Sequence, residues 1–173
     1  MKNKRFYLML VCAIMAIGAA FAQSDDEILA SMKLKEGQPA PDFCLKDLEG
    51  NDVTLTYYQG DWVVLDFWGS WCRYCVQGIP EMKKAYEAYH PMGFEIIGID
   101  CNEAESAWKE AVAKYQLPWV NVYNPGDRNS GVCAEYDIKG YPTKIVVNPE
   151  GYVYKIFIGE DPAFYEFLKS LFQ

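Results

Sequence analysis

Two cysteines separated by two residues, in Trp71-Cys72-Arg73-Tyr74-Cys75, are the side chains of this sequence best suited by type and spacing to do chemistry. They follow the apolar run Trp62-Val63-Val64-Leu65-Asp66-Phe67-Trp68, which reads as a strand, and they stand where a helix should begin. A helix N-terminus stabilises a thiolate on the first thiol, and the second, one turn later, is within reach to close a small disulfide. The chemistry implied is thiol–disulfide exchange, with Cys72 as nucleophile and Cys75 as the thiol that resolves the mixed disulfide. Half of a zinc site has the same spacing, but zinc needs two further Cys or His ligands. The sole histidine, His90, and the scattered remaining cysteines supply no second CxxC or CxxH, so no metal is expected.

Asp66 lies six positions before Cys72 inside the apolar run, where a carboxylate is costly to bury without a task or a partner. A buried acid there could take the proton from Cys75 during resolution; the alternative is an acid solvated or hydrogen-bonded at a strand end. Pro80, five residues after Cys75, interrupts a helical stretch and predicts a kink. Far downstream, Gly140-Tyr141-Pro142-Thr143 precedes the strand-like Lys144-Ile145-Val146-Val147. A proline there is often only an end marker, but a cis Tyr141–Pro142 bond would present backbone groups to an incoming peptide.

With these motifs in place, the chain resembles the thioredoxin-fold disulfide oxidoreductases, and more closely their exported TlpA/ResA-like, AhpC/TSA-redoxin-like type. Asp66-Phe67-Trp68-Gly69-Ser70-Trp71-Cys72 is similar to that family's strand and loop, including both tryptophans and the buried-aspartate position. Pro80 falls where the family kinks its active-site helix, Pro142-Thr143 resembles its cis-proline loop, and Gly159 stands where thioredoxins keep a glycine near the site. Gly37-Gln38-Pro39-Ala40-Pro41-Asp42-Phe43 resembles the group's opening, and the match covers nearly all of residues 37–173. The resemblance implies catalytic Cys72, Cys75 and Asp66, and a docking surface for partner proteins from Trp71, Arg73, Tyr74, Tyr141, Pro142 and Thr143. It implies no organic cofactor, but it does imply a redox partner, membrane-embedded in the reductive case, that resets the dithiol.

Departures qualify that picture. Tyr74 stands where the family commonly has proline before the second cysteine, a position that helps set acidity and potential, while Arg73 favours a Cys72 thiolate by charge. Some TlpA-like reductases carry a glutamate three residues after the second cysteine; here that residue is Gly78, and Glu81 nearby does not occupy the same position. A thiol peroxidase is the first alternative function, although Phe67-Trp68-Gly69-Ser70-Trp71 lacks the proline and threonine expected before a peroxidatic cysteine. A non-enzymatic metal-binding or adaptor module is the second. Between the two directions of exchange, a reductase is favoured.

Lys2, Lys4 and Arg5 precede an apolar stretch from Phe6 to Phe21, and Ala20-Phe21-Ala22 is a small-x-small cleavage pattern. Sixteen apolar residues fall short of the roughly 20 that span a bilayer, so a cleaved signal over residues 1–22 is expected, with an uncleaved anchor as alternative. The expected site of action is the periplasm. Residues 23–36 read as an arm, and 37–173 as one domain with a full core. Cleavage removes three cations and no acid, taking the net charge from −8 to −11, which argues against nucleic acid as a partner.

The elements needed to hold the site follow from periodicity. A short helix is expected near 24–32, then a β-hairpin from Asp42–Leu48 and Val53–Thr56, the central strand, the CxxC helix, and a buried strand Phe94–Asp100. An inserted helix Glu103–Gln116 and strand Trp119–Tyr123 come next, then a short helix near Ser130–Tyr136. The hairpin Lys144–Val147 with Tyr152–Ile158 and a final helix Pro162–Phe172, burying Phe164, Phe167, Leu168 and Leu171, complete the chain. The result is an α/β, thioredoxin-like fold: a central mixed sheet with helices on both faces. In the mature chain, without Cys12 of the signal, Cys44, Cys101 and Cys133 bring the redox pair to an odd total of five, leaving at least one thiol without a partner within the chain. For Cys101 and Cys133, a second bridge and burial as small apolar residues both remain open. His90 before Pro91 suits a helix C-terminus.

Overall fold

A computed structural model describes residues 25–127 and 129–173. The proposed signal and its cleavage point lie outside the described residues. Residues 25–31 are helical, and a compact unit runs from Met32 to Gln173.

Seven strands form one mixed sheet: β1 Cys44–Lys46, β2 Asp52–Thr54, β3 Trp62–Trp68, β4 Phe94–Asp100, β5 Val120–Tyr123, β6 Thr143–Val147 and β7 Val153–Ile158. Their order is β2-β1-β5-β4-β3-β6-β7. Strands β3, β4 and β5 are parallel neighbours, and the other pairings are antiparallel. The parallel connections require crossovers, supplied by helices α1 Arg73–Tyr89 and α2 Glu105–Tyr115. A short α3, Gly131–Glu135, precedes β6, and α4, Pro162–Phe172, closes the chain.

β4 is buried along its whole length and β3 along six of its seven residues, as covered central strands must be; hence their near-continuous apolar sequences. On one face, Met82 and Ala85 of α1 and Phe164 and Leu168 of α4 pack over Val64, Phe94, Ile96, Val146 and Phe157. On the other, Phe67 packs against Tyr136, just beyond α3. Each fully buried large apolar side chain contributes about 1.5–3 kcal/mol. The outer edge of β7 is not bare: Gly37 N–H donates to the Val153 carbonyl at 2.7 Å, and Val153 N–H to Gln38 at 2.8 Å. The family-like opening segment thus occupies an edge that would otherwise offer unpaired backbone groups.

Several expected boundaries shift for local reasons. The first hairpin keeps only three residues per strand. Helix α2 starts at Glu105 rather than Glu103, because Asn102 takes a positive φ of 65° and Ala104 is the extended N-cap; it ends where Gln116 turns left-handed. In α4, Phe164 and Leu168 are buried, but Phe167 and Leu171 are only half-buried.

Candidate active site

The site forms where β3 hands over to α1. Cys72 is the N-cap of α1, and the Cys75 N–H donates to its Sγ at 3.2 Å, so the first thiol sits on the positive end of the helix. Cys72 and Cys75 form a disulfide with their Cα atoms 5.3 Å apart. Both are 6% exposed. Pro80 lies inside α1, where it removes the N–H that would bond the Val76 carbonyl.

The loop between strand and helix is fixed from below. Trp71 Nε1–H donates to the Cys101 carbonyl at 2.9 Å, and Cys101 N–H to the Trp68 carbonyl at 2.9 Å. Ser70 N–H donates to Glu103 at 2.8 Å and its hydroxyl bonds the other oxygen of the same carboxylate. Gly69 is required here, since a Cβ would collide with the Trp71 indole and sit 3.0 Å from the Cys101 carbonyl. Burial, and then the neighbouring Glu103 carboxylate, pushes Asp100 up to about 9, so it is protonated at neutral pH.

The Tyr141–Pro142 bond is cis. The Trp71 and Tyr141 rings meet edge-to-face at 5.1 Å, joining the two loops into one surface. Trp71 is 49% exposed and Tyr74 64%, and Arg73 is exposed beside them. Pro142 and Thr143 lie beneath that surface rather than on it: the Pro142 carbonyl accepts from Gly159 N–H at 2.8 Å, and the buried Thr143 hydroxyl donates to Gly140 at 2.8 Å. Their side chains are buried, and the exposed side chains beside the redox pair are those of Trp71, Arg73 and Tyr74.

Asp66 is buried on β3, with one carboxyl oxygen that has no hydrogen-bond partner among the described residues. Burial pushes it up to about 6, against the pull of Lys144, and the Glu160 carboxylate raises it further. A carboxyl balanced near neutrality can both accept and return a proton.

Sequence reasoning missed two features and left a third open. Lys144, paired in register with Asp66 across β3 and β6, is 2% exposed and donates to Glu160 at 2.8 Å. Its signal was present: a lysine opening the run Lys144-Ile145-Val146-Val147 is as anomalous as Asp66 in its own strand. Glu103 reaches back to Ser70, a contact with no periodic signature. Cys101 and Cys133, both fully buried, are disulfide-bonded with Cα atoms 7.0 Å apart, leaving Cys44 exposed and free among the described cysteines. Among the described residues, no three His, Cys, Asp or Glu side chains gather as a metal site.

A dithiol capping a helix, an interior aspartate behind it and a cis-proline loop beside it, on a central mixed sheet, define a thioredoxin-fold thiol–disulfide protein. The chain belongs to the AhpC/TSA family, whose model matches residues 36–156, and within it to the ResA-type thiol-disulfide oxidoreductases. It is 31% identical over 159 residues to the thiol-disulfide oxidoreductase ResA of Bacillus cereus, covering 92% of this chain and 90% of the relative. The ResA of Bacillus subtilis is 31% identical over 168 residues, covering 92% and 88%. Among solved structures, the thioredoxin domain of a thiol-disulfide oxidoreductase from Bacteroides vulgatus superposes with a TM-score of 0.74 at 30% identity, covering 82% of this chain and all of that one. A putative thiol:disulfide interchange protein DsbE from Chlorobium tepidum gives 0.73 at 29% identity, covering 80% and 95%. Among the described residues, no helix is long and apolar enough to cross a membrane.

Proposed function

We propose that this protein is an exported reductase of disulfides in partner proteins, acting in the periplasm and recharged by a membrane-embedded electron donor. The observation that carries the exchange chemistry is the Cys72–Cys75 pair at the α1 N-terminus with Asp66 buried behind it. The Cys72 thiolate attacks one sulfur of the partner's disulfide and the other sulfur leaves as a thiolate. Cys75 gives its proton to Asp66 and attacks Cys72. The mixed disulfide breaks, the partner's second sulfur leaves as a thiolate, and the two partner thiolates take up the Asp66 proton and one from water to become a dithiol, while the protein holds the pair of oxidised sulfurs. Trp71, Tyr74 and Tyr141 receive the partner chain, with Arg73 favouring the Cys72 thiolate. Export is supported by the basic, apolar and small-x-small order of residues 1–22; the intact mass of protein recovered from the native host tests cleavage after Ala22.

Direction is a matter of potential. The Cys72–Cys75 equilibrium in graded glutathione buffers, with Cys44, Cys101 and Cys133 replaced by serine in a variant shown to fold, is expected near about −270 mV. A value near about −120 mV would make the protein an oxidant, and failure to form any reversible disulfide would overturn the reading.

A further inference from the structure

Behind the redox pair lies a group of charges that the exchange reaction as written does not use. Lys144 faces Asp66 in register across the β3–β6 pairing, is 2% exposed, and donates to Glu160 at 2.8 Å. Its ammonium also lies 5.6 Å from the centre of the Phe164 ring. Glu160, in the turn between β7 and α4, is held on its other oxygen by the Tyr165 hydroxyl, which also lies 3.4 Å from the Gly78 carbonyl. The Glu160 carboxylate rests directly on α1: a Cβ at Gly78, three residues after Cys75, would collide with it. Glycine at 78 therefore makes room on the active-site helix for an acid delivered from another part of the chain. A buried lysine–glutamate pair is costly unless its geometry is good and its remaining groups are satisfied, so its position directly opposite a buried aspartate calls for an explanation.

We propose that Glu160 and Lys144 are positioning residues of the exchange reaction: a buried ion pair, held by Tyr165 and lodged against the helix that carries Cys75, which sets how readily Asp66 accepts the Cys75 proton. The inference rests on the reading of Asp66 as that acceptor. Every element packed around Asp66 enters the balance. β6 contributes the Lys144 ammonium, which draws the proton off Asp66, and the β7–α4 turn contributes the Glu160 carboxylate, which holds it on. Helix α4 contributes Tyr165, which interacts with Asp66, with Glu160 and with Glu81 of α1. β4 sets Gly98 opposite Asp66 and adds no charge at that register. In the resolving step the proton passes from the Cys75 sulfur to Asp66, the Cys72–Cys75 bond forms, the bond from Cys72 to the partner breaks, and the electron pair leaves on the partner's sulfur. Lys144 and Glu160 exchange no proton or electron; they fix the charge that Asp66 sees.

The test is the pH profile of disulfide closure, followed by tryptophan fluorescence after mixing reduced protein with glutathione disulfide at concentrations where closure limits the rate. Glu160→Gln should lower the acidic midpoint and Lys144→Met should raise it, each by about one pH unit. A structural role alone would weaken folding without moving the two midpoints in opposite directions. Where Lys144→Met does not fold, the double variant Lys144→Gln with Glu160→Gln, which leaves neither ion alone, replaces it; its midpoint should lie above that of Glu160→Gln. Asp66→Asn runs in parallel. If it removes the acidic limb while the Glu160 and Lys144 variants keep the wild-type midpoint, this inference is overturned and the reading of Asp66 stands. If Asp66→Asn leaves the profile unchanged, the reading of Asp66 itself has failed.

Discussion

Asp66 is a residue whose burial works against stability, and that opposition can be measured without any substrate. Its ordinary value of 3.8 becomes about 6 in the fold, chiefly through burial. The folded state therefore holds a proton that the unfolded state has released between those two values, and stability must fall as pH rises through that window. Below it both states are protonated and there is no penalty. Above it both are ionised and the penalty is complete, on the order of 3 kcal/mol. Urea unfolding of the oxidised protein should show this decline, and Asp66→Asn should lack it, so that the variant gains on the wild type from about pH 4 to pH 6 and holds its advantage above. A parallel pH dependence in the two proteins would mean that Asp66 is not desolvated in solution. Gly78 makes a complementary case. Alanine there meets a carboxylate pinned by Lys144 and Tyr165, so Gly78→Ala should destabilise by about 1–3 kcal/mol, in spite of alanine's better helix propensity. Thermal unfolding of the variant beside wild type checks it.

Among elements, those with a strong period or a covered apolar run were legible in the sequence, and those held by single side-chain contacts were not. β3 and β4 follow directly from their apolar runs, and α1 from the place of the Cys72–Cys75 pair just after β3. The start of α2 does not, because Glu103 looks like a first-turn helix acid and instead serves as a clamp on Ser70. The same limit applied to Cys101 and Cys133. Their separation of 32 residues carries no spacing rule, and only the fold brings the end of β4 to α3. Closing a loop of that length contributes about 3–4 kcal/mol if the effect is that of chain entropy. Cys101→Ser with Cys133→Ser should lower the unfolding free energy by about that amount in denaturant, with the Cys72–Cys75 pair intact. The hydrogen bond from the Trp71 indole to the Cys101 backbone carbonyl needs no sulfur, so this double variant should retain disulfide exchange. Loss of exchange at unchanged stability would instead make the second pair part of the reaction.

For the whole molecule, potential and stability are two sides of one cycle. A dithiol with a low potential is one whose disulfide the fold favours, whereas a strong oxidant is one whose reduced form the fold favours. The features around Cys72 pull in opposite directions. The α1 N-terminus and Arg73 stabilise a thiolate, and so the reduced state, while the 6% exposure of both sulfurs disfavours a charge there. Asp66 and Glu160, set against the Lys144 ammonium paired with Glu160, leave one net negative charge behind the pair, and a carboxylate near a thiolate raises its cost further. That one net negative charge and burial, against one helix end and an exposed arginine, place the balance on the side of the disulfide. The oxidised protein should then unfold at a higher temperature than the reduced protein, each tested with Cys101 and Cys133 in their bridged state. Every 30 mV by which the folded pair is more reducing than the unfolded pair corresponds to about 1.4 kcal/mol of that difference. A reduced form more stable than the oxidised one would reverse the balance of these charges, and with it the direction in which electrons flow through the pair.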